Sequence, residues 1–154
     1  MTDRKDEIAT LNTLTATLID SVTGYEDAAA NIESPRLQEL FRESASERRK
    51  IVEELRSEVR RLGGDPEDDG SFLGKTHQRF LDLKAAITGR DEKAIINEVE
   101  RGEDYLKGKW QAALQSGTLH GETHDLVERL YQSIKSGHDQ ISQLKHGLET
   151  PSHT

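Results

Sequence analysis

The chain has 154 residues and a formal net charge of −8, with acidic and basic residues interspersed rather than gathered in blocks. That length suits a single domain with a real core, and the charge balance lacks the concentrated basic face that nucleic acid or an anionic membrane surface requires. No cysteine is present, which excludes disulfides, thiolate metal ligands and thiol catalysis.

Met1 to Glu7 is charged and leads into no apolar stretch, so no signal peptide is read. No apolar run approaches the roughly 18 residues of a membrane span, and a cytoplasmic location is expected. Apolar residues make up 32% of the chain, which fits long helices that each bury one narrow stripe.

The first helix is expected over 4–32, with Ile8, Leu11, Leu18, Val22, Tyr25, Ala29 and Ile32 at 3/4 spacing on one face. Ser34 as N-cap and Pro35 at the first helical position start a second helix over 35–62 after a very short turn, so the two run antiparallel. Its stripe is Leu37, Phe41, Ser44, Arg48, Ile51, Leu55 and Leu62, and Gly63-Gly64 ends it. A polar loop follows, and Ser71 caps a shorter helix over 72–88 with Phe72, Thr76, Phe80, Leu83 and Ile87 on one side. Asp91 caps the next long helix, 91–116, with a stripe read as Ile95, Val99, Gly102, Leu106, Lys109 and Ala113. After Gly117-Thr118 the last helix, 119–148, carries Val127, Leu130, Ile134, Gly137, Ile141, Leu144 and Leu148, and 150–154 reads as a frayed tail.

These lengths predict an all-α domain over 1–149. Two antiparallel helical hairpins, each long helix roughly 40 Å at 1.5 Å per residue, are joined by a helical crossover that returns the chain to its starting end. That is the ferritin-like four-helix-bundle arrangement.

The stripes are interrupted at one height. Ser44 and Arg48 on the second helix, Gly102 on the third and Gly137 on the fourth all lie about ten to thirteen residues in from the same end, counted by the helical rise. Glu47, Glu103 and His138 are their sequence neighbours, and His77 on the crossover reaches a similar height. A carboxylate and imidazole cluster of His77, Glu103, His138 and Glu47 is what one bound iron, manganese or zinc ion would need. The same residues also fit an ordinary core, in which Arg48 pairs with Glu103 or Glu98 and the glycines admit a bulky neighbour such as Tyr25. His120 and His124, one turn apart, could chelate a metal adventitiously or sit in a solvated first turn. No phosphate loop, nucleophile elbow or HExxH occurs, so no catalytic residue is assigned. Ile19, Ile96, Trp110 and Leu114, read as off the inner stripes, suggest that a second copy of the chain covers them in a homodimer.

Several strings occur together: Gly24-Tyr25 with Ala28-Ala29, Leu62-Gly63-Gly64-Asp65-Pro66-Glu67, Gly70-Ser71, Gly74 with His77, Asp82-Leu83-Lys84, Glu100-Arg101-Gly102-Glu103-Asp104, and Tyr131 with His138. From about Leu11 to Leu148 the chain resembles a bacterial ferritin-like four-helix-bundle family, domain of unknown function 2383. The resemblance implies a ferritin-like fold and brings no established activity. The wider superfamily's di-iron pattern, with Glu-x-x-His on helices two and four, is broken here. Lys135 stands three residues before His138 and Lys50 three residues after Glu47. The expectation is a non-enzymatic bundle with a structural or protein-interaction role, stress-related by analogy with other ferritin-like bacterial proteins. The competing expectation is a metal-binding or metal-dependent redox protein using the polar layer.

Overall fold

The computed structural model describes residues 4–66 and 92–149. Four helices account for nearly all of them: α1 (Arg4–Asn31), α2 (Pro35–Arg61), α3 (Glu92–Gln115) and α4 (Gly121–Glu149). No strand occurs among the described residues, and none of their helices is long and apolar enough to cross a membrane. The helix read over 72–88, with its caps Ser71 and Asp91 and with His77, lies outside the described residues, as does the tail 150–154.

Local chemistry sets the helix ends. Ser34 is extended, and its hydroxyl accepts from the Leu37 N–H at 3.3 Å, with Pro35 at the first helical position. At the other end of α2, Gly63 adopts φ +90°, its N–H donates to Arg60 O and that of Gly64 to Val59 O, both at 2.9 Å. This pair of bonds is a Schellman motif, which needs a residue without a Cβ penalty at the left-handed position. Gly64 is needed for space instead, because a Cβ there would lie 2.6 Å from Ile8 Cγ2 on the first turns of α1. The fourth helix begins two residues later than its sequence suggests. Gly117 and Gly121 both take positive φ, and the chain between them turns with Leu119 buried.

The contacts fix the helix directions. α1 packs against α2 and α3, and α4 against α3 and α2. Glu7, on the first turns of α1, accepts from the His120 N–H at 2.9 Å, so the start of α1 meets the turn between α3 and α4. At that same end Glu58 near the end of α2 accepts from the Thr123 hydroxyl at 2.6 Å. Helices α1 and α4 therefore run one way and α2 and α3 the other. The two hairpins are antiparallel, and the chain leaves α2 at one end of the bundle and enters α3 at the opposite end.

Burial follows the α2 stripe, with Ala45 more deeply buried than Ser44, follows the α4 stripe as far as Leu144, and corrects that of α3. The inward positions on α3 are Ile95, Ile96, Val99, Glu103, Leu106, Trp110 and Ala113. Its interior phase thus passes through Glu103 and Trp110, not Gly102 and Lys109, because the indole is the largest apolar group on the helix and goes inside. Ile96 and Trp110 have no exposed surface, while Ile19 and Leu114 are half-buried against the core. The apolar patch that suggested a homodimer is therefore interior in its larger part.

The core has two compartments. One, towards the Glu7 end, gathers Leu11, Leu14, Leu18, Ile51, Leu55, Leu106, Trp110, Leu130 and Ile134 among others. The second gathers Val22, Tyr25, Ala28, Leu37, Phe41, Ala45, Ile95, Val99 and Ile141. Between them, on α2, α3 and α4, stand Arg48, Glu103 and Gly137.

Candidate functional site

Arg48 occupies an inward position of α2 between Ala45 and Ile51, and Glu103 an inward position of α3 between Val99 and Leu106, so helical periodicity alone carries both charges into the interior. Each is only 2% exposed. Arg48 Nη2 donates to Glu103 Oε2 at 3.0 Å, and the Tyr25 hydroxyl of α1 donates to the other oxygen, Oε1. The Arg48 guanidinium carbon also lies 5.8 Å from the Tyr25 ring centre, within cation–π range. Tyr25 in turn packs tilted at 44° on Phe41, with centroids 5.8 Å apart.

The fourth side of this layer is Gly137 on α4. A Cβ built there would lie 2.5 Å from Arg48 Nη2, so the guanidinium fills the space that a side chain on α4 would need. Each of the four helices thus reaches the same level, and α2 adds a second residue there, Ser44, whose side chain also hydrogen-bonds Tyr25. Arg48 Nη1 is buried and has no hydrogen-bond partner among the described residues, a costly arrangement for a charged donor.

Burial pushes the Tyr25 phenol well above its ordinary value, and the adjacent Glu103 carboxylate pushes the same way, against the weaker opposing effect of Arg48. The layer therefore holds a protonated phenol on a carboxylate whose two oxygens are both engaged. That chemistry ties three helices together.

The residues that the sequence grouped as ligands go to different places. Glu103 lies within the layer. Glu47, although next to Arg48, is exposed on α2. His138 sits at the solvent edge of the α3–α4 seam, 14% exposed, with Nε2 2.5 Å from Asp104 Oδ1 and Nδ1 3.4 Å from Asp139 Oδ1. His77 lies outside the described residues. Gly102, at a similar depth to Gly137, is unlike it: among the described residues no other helix comes within 4 Å of a Cβ added there. Among the described residues, the three His, Asp or Glu side chains with ligand atoms mutually within 4.8 Å are His124, Asp125 and Glu128 at the start of α4. His124 Nδ1 is 3.8 Å from Asp125 Oδ1 and 3.7 Å from Glu128 Oε2, and both carboxylates face solvent.

Tyr25 is the member of the layer whose chemistry the sequence argument left unused. A tyrosine on a stripe otherwise made of aliphatic residues needs a buried acceptor for its hydroxyl, and a carboxylate on a facing helix meets that need.

No curated protein matches the chain. The family model described as a domain of unknown function (DUF2383) matches residues 6–116, from the first turns of α1 to the end of α3, and with the bundle and its charged layer now described, the chain belongs to that family.

Proposed function

We propose that the protein is a non-enzymatic, ferritin-like helical bundle with a structural or protein-interaction role, whose central polar layer is an ion-paired core rather than a metal centre. One observation carries this reading: both carboxylate oxygens of Glu103 are engaged, one by Tyr25 and one by Arg48. A metal at this level would have to displace Arg48 from its carboxylate and leave a buried guanidinium with no counter-charge, which is strongly unfavourable. The outward turn of Glu47 and the pairing of His138 with Asp104 point the same way. A stress-related role for the bundle rests on analogy of fold.

The test is the metal content of protein purified without a His tag, read beside the stability of Glu103→Ala. The expected result is no stoichiometric iron, manganese or zinc, and a loss of about 3–5 kcal/mol in denaturant unfolding of the variant, because Arg48 is left buried and unpaired. Stoichiometric metal that disappears in both Glu103→Ala and His138→Ala, with stability otherwise unchanged, would overturn the reading in favour of a site built from His77, Glu103, His138 and Glu47.

A further inference from the structure

The polar layer is poorly designed as a source of stability. It buries two charges, and one guanidinium nitrogen has no partner among the described residues. Buried ion pairs of this kind are often no more stable than apolar residues of the same volume, and in some proteins a buried polar group instead fixes the register of its helix. The rest of the interior discriminates weakly. Along α4, Val127, Leu130, Ile134 and Ile141 are similar in size and spaced by helical turns, and α1 adds Leu11, Leu14 and Leu18 to the same interior. Apolar stripes that regular accept a displaced neighbour with modest repacking.

We propose that Tyr25, Arg48, Glu103 and Gly137 form an alignment key that admits the second hairpin onto the first in a single register. The proposal rests on the ion-paired reading of the layer. The key has an electrostatic half and a steric half, one on each helix of the second hairpin. Sliding α3 by one turn moves Glu103 by about 5.4 Å, against a contact of 3.0 Å with Arg48. The Glu103 side chain then loses Arg48 and Tyr25 together and is left without a partner in an apolar interior. Sliding α4 by one turn brings Ile134 or Ile141 to the level of Gly137. Even a single added carbon at that position lies 2.5 Å from the guanidinium, so an isoleucine there collides with it. Each helix of the second hairpin thus meets its own obstacle to slipping, and both obstacles are centred on Arg48.

The chain has no cysteine, so spin labels can be placed cleanly at Ser57→Cys on α2 and Gln132→Cys on α4, both exposed and outside the layer. In the native layer one inter-label distance is expected. With the layer made apolar, as Tyr25→Phe/Arg48→Leu/Glu103→Leu, the bundle should remain helical and at least as stable. The expected change is a second distance, displaced from the first by up to about 5 Å, with its population raised at least about tenfold. A triple variant that keeps the single native distance overturns the proposal. So does one that fails to fold, because the layer would then supply stability rather than alignment. Metal analysis of the unlabelled native protein separates the two readings. Metal found there removes the ion-paired layer itself, whereas a metal-free protein whose triple variant keeps one distance removes only the key.

Discussion

Gly102 and Gly137 sit at similar depth on neighbouring helices, and the same substitution should have opposite effects at the two sites. Alanine at Gly102 meets nothing within 4 Å and relieves the entropic penalty of a mid-helix glycine, so Gly102→Ala is expected to raise stability by about 0.5–1 kcal/mol. Alanine at Gly137 drives its Cβ into Arg48, which is held by Glu103 and cannot swing to solvent. Gly137→Ala should therefore lower stability by about 1–3 kcal/mol despite the better helix propensity, and urea unfolding of the two variants reads the sign directly. Tyr25 supplies a second expectation at this scale. Its phenol keeps its proton in the folded protein to higher pH than in the unfolded chain. Stability from this group is complete below about pH 10, where the unfolded phenol titrates, and falls as pH rises beyond it. A stability–pH curve of Tyr25→Phe should lack that alkaline component. The polar layer was only partly legible in sequence. The level was found by counting residues along the helices, and Arg48–Glu103 was among the pairings considered. The phase of α3 differs from the stripe expected because Glu103, a charged residue, takes the interior position and Gly102 does not. Stripes through Gly102 and Lys109 or through Glu103 and Trp110 both satisfy 3/4 spacing, and the bulk of Trp110 is the physical term that decides between them.

Among the elements, α2 was the most legible because both of its ends carry chemistry that acts over three or four residues. Ser34-Pro35 and Gly63-Gly64 each satisfy backbone groups that a helix leaves unpaired. Gly63→Ala should cost about 1–2 kcal/mol, the price of forcing an L-residue into the left-handed region, whereas Gly117→Ala tests the same strain in the α3–α4 turn. Thermal unfolding of both variants measures the two. The start of α4 was less legible because its first free N–H groups are met partly from elsewhere. Glu7, some 113 residues earlier in the chain, accepts from the His120 N–H, and a cap supplied across the bundle leaves no local signature. The middle of α1 was also underestimated. Leu14, Thr15, Ala16, Thr17 and Leu18 are all buried, so the helix is enclosed around its whole circumference there. The two threonines tolerate this because their hydroxyls donate to the backbone carbonyls of Leu11 and Leu14.

For the molecule as a whole, antiparallel hairpins followed from turn length and helix length, which are coarse quantities that sequence carries well. The partition of the interior did not follow, because it depends on which of two allowed phases α3 adopts. Its consequence is best stated for pairs of mutations. A packing defect spreads through side chains in direct contact, and the Arg48–Glu103 layer stands between the two apolar compartments on α2 and α3. Leu55→Ala in one compartment should cost about 2–5 kcal/mol and Ile95→Val in the other about 0.5–1.5 kcal/mol. The double variant should equal their sum to within about 0.5 kcal/mol, whereas Leu55→Ala combined with Ile134→Val, within one compartment, should depart from additivity. If the first pair couples as strongly as the second, the layer is no barrier to repacking. If it does not, the protein behaves under mutation as two small cores sharing four helices, and each can drift in sequence without the other having to compensate.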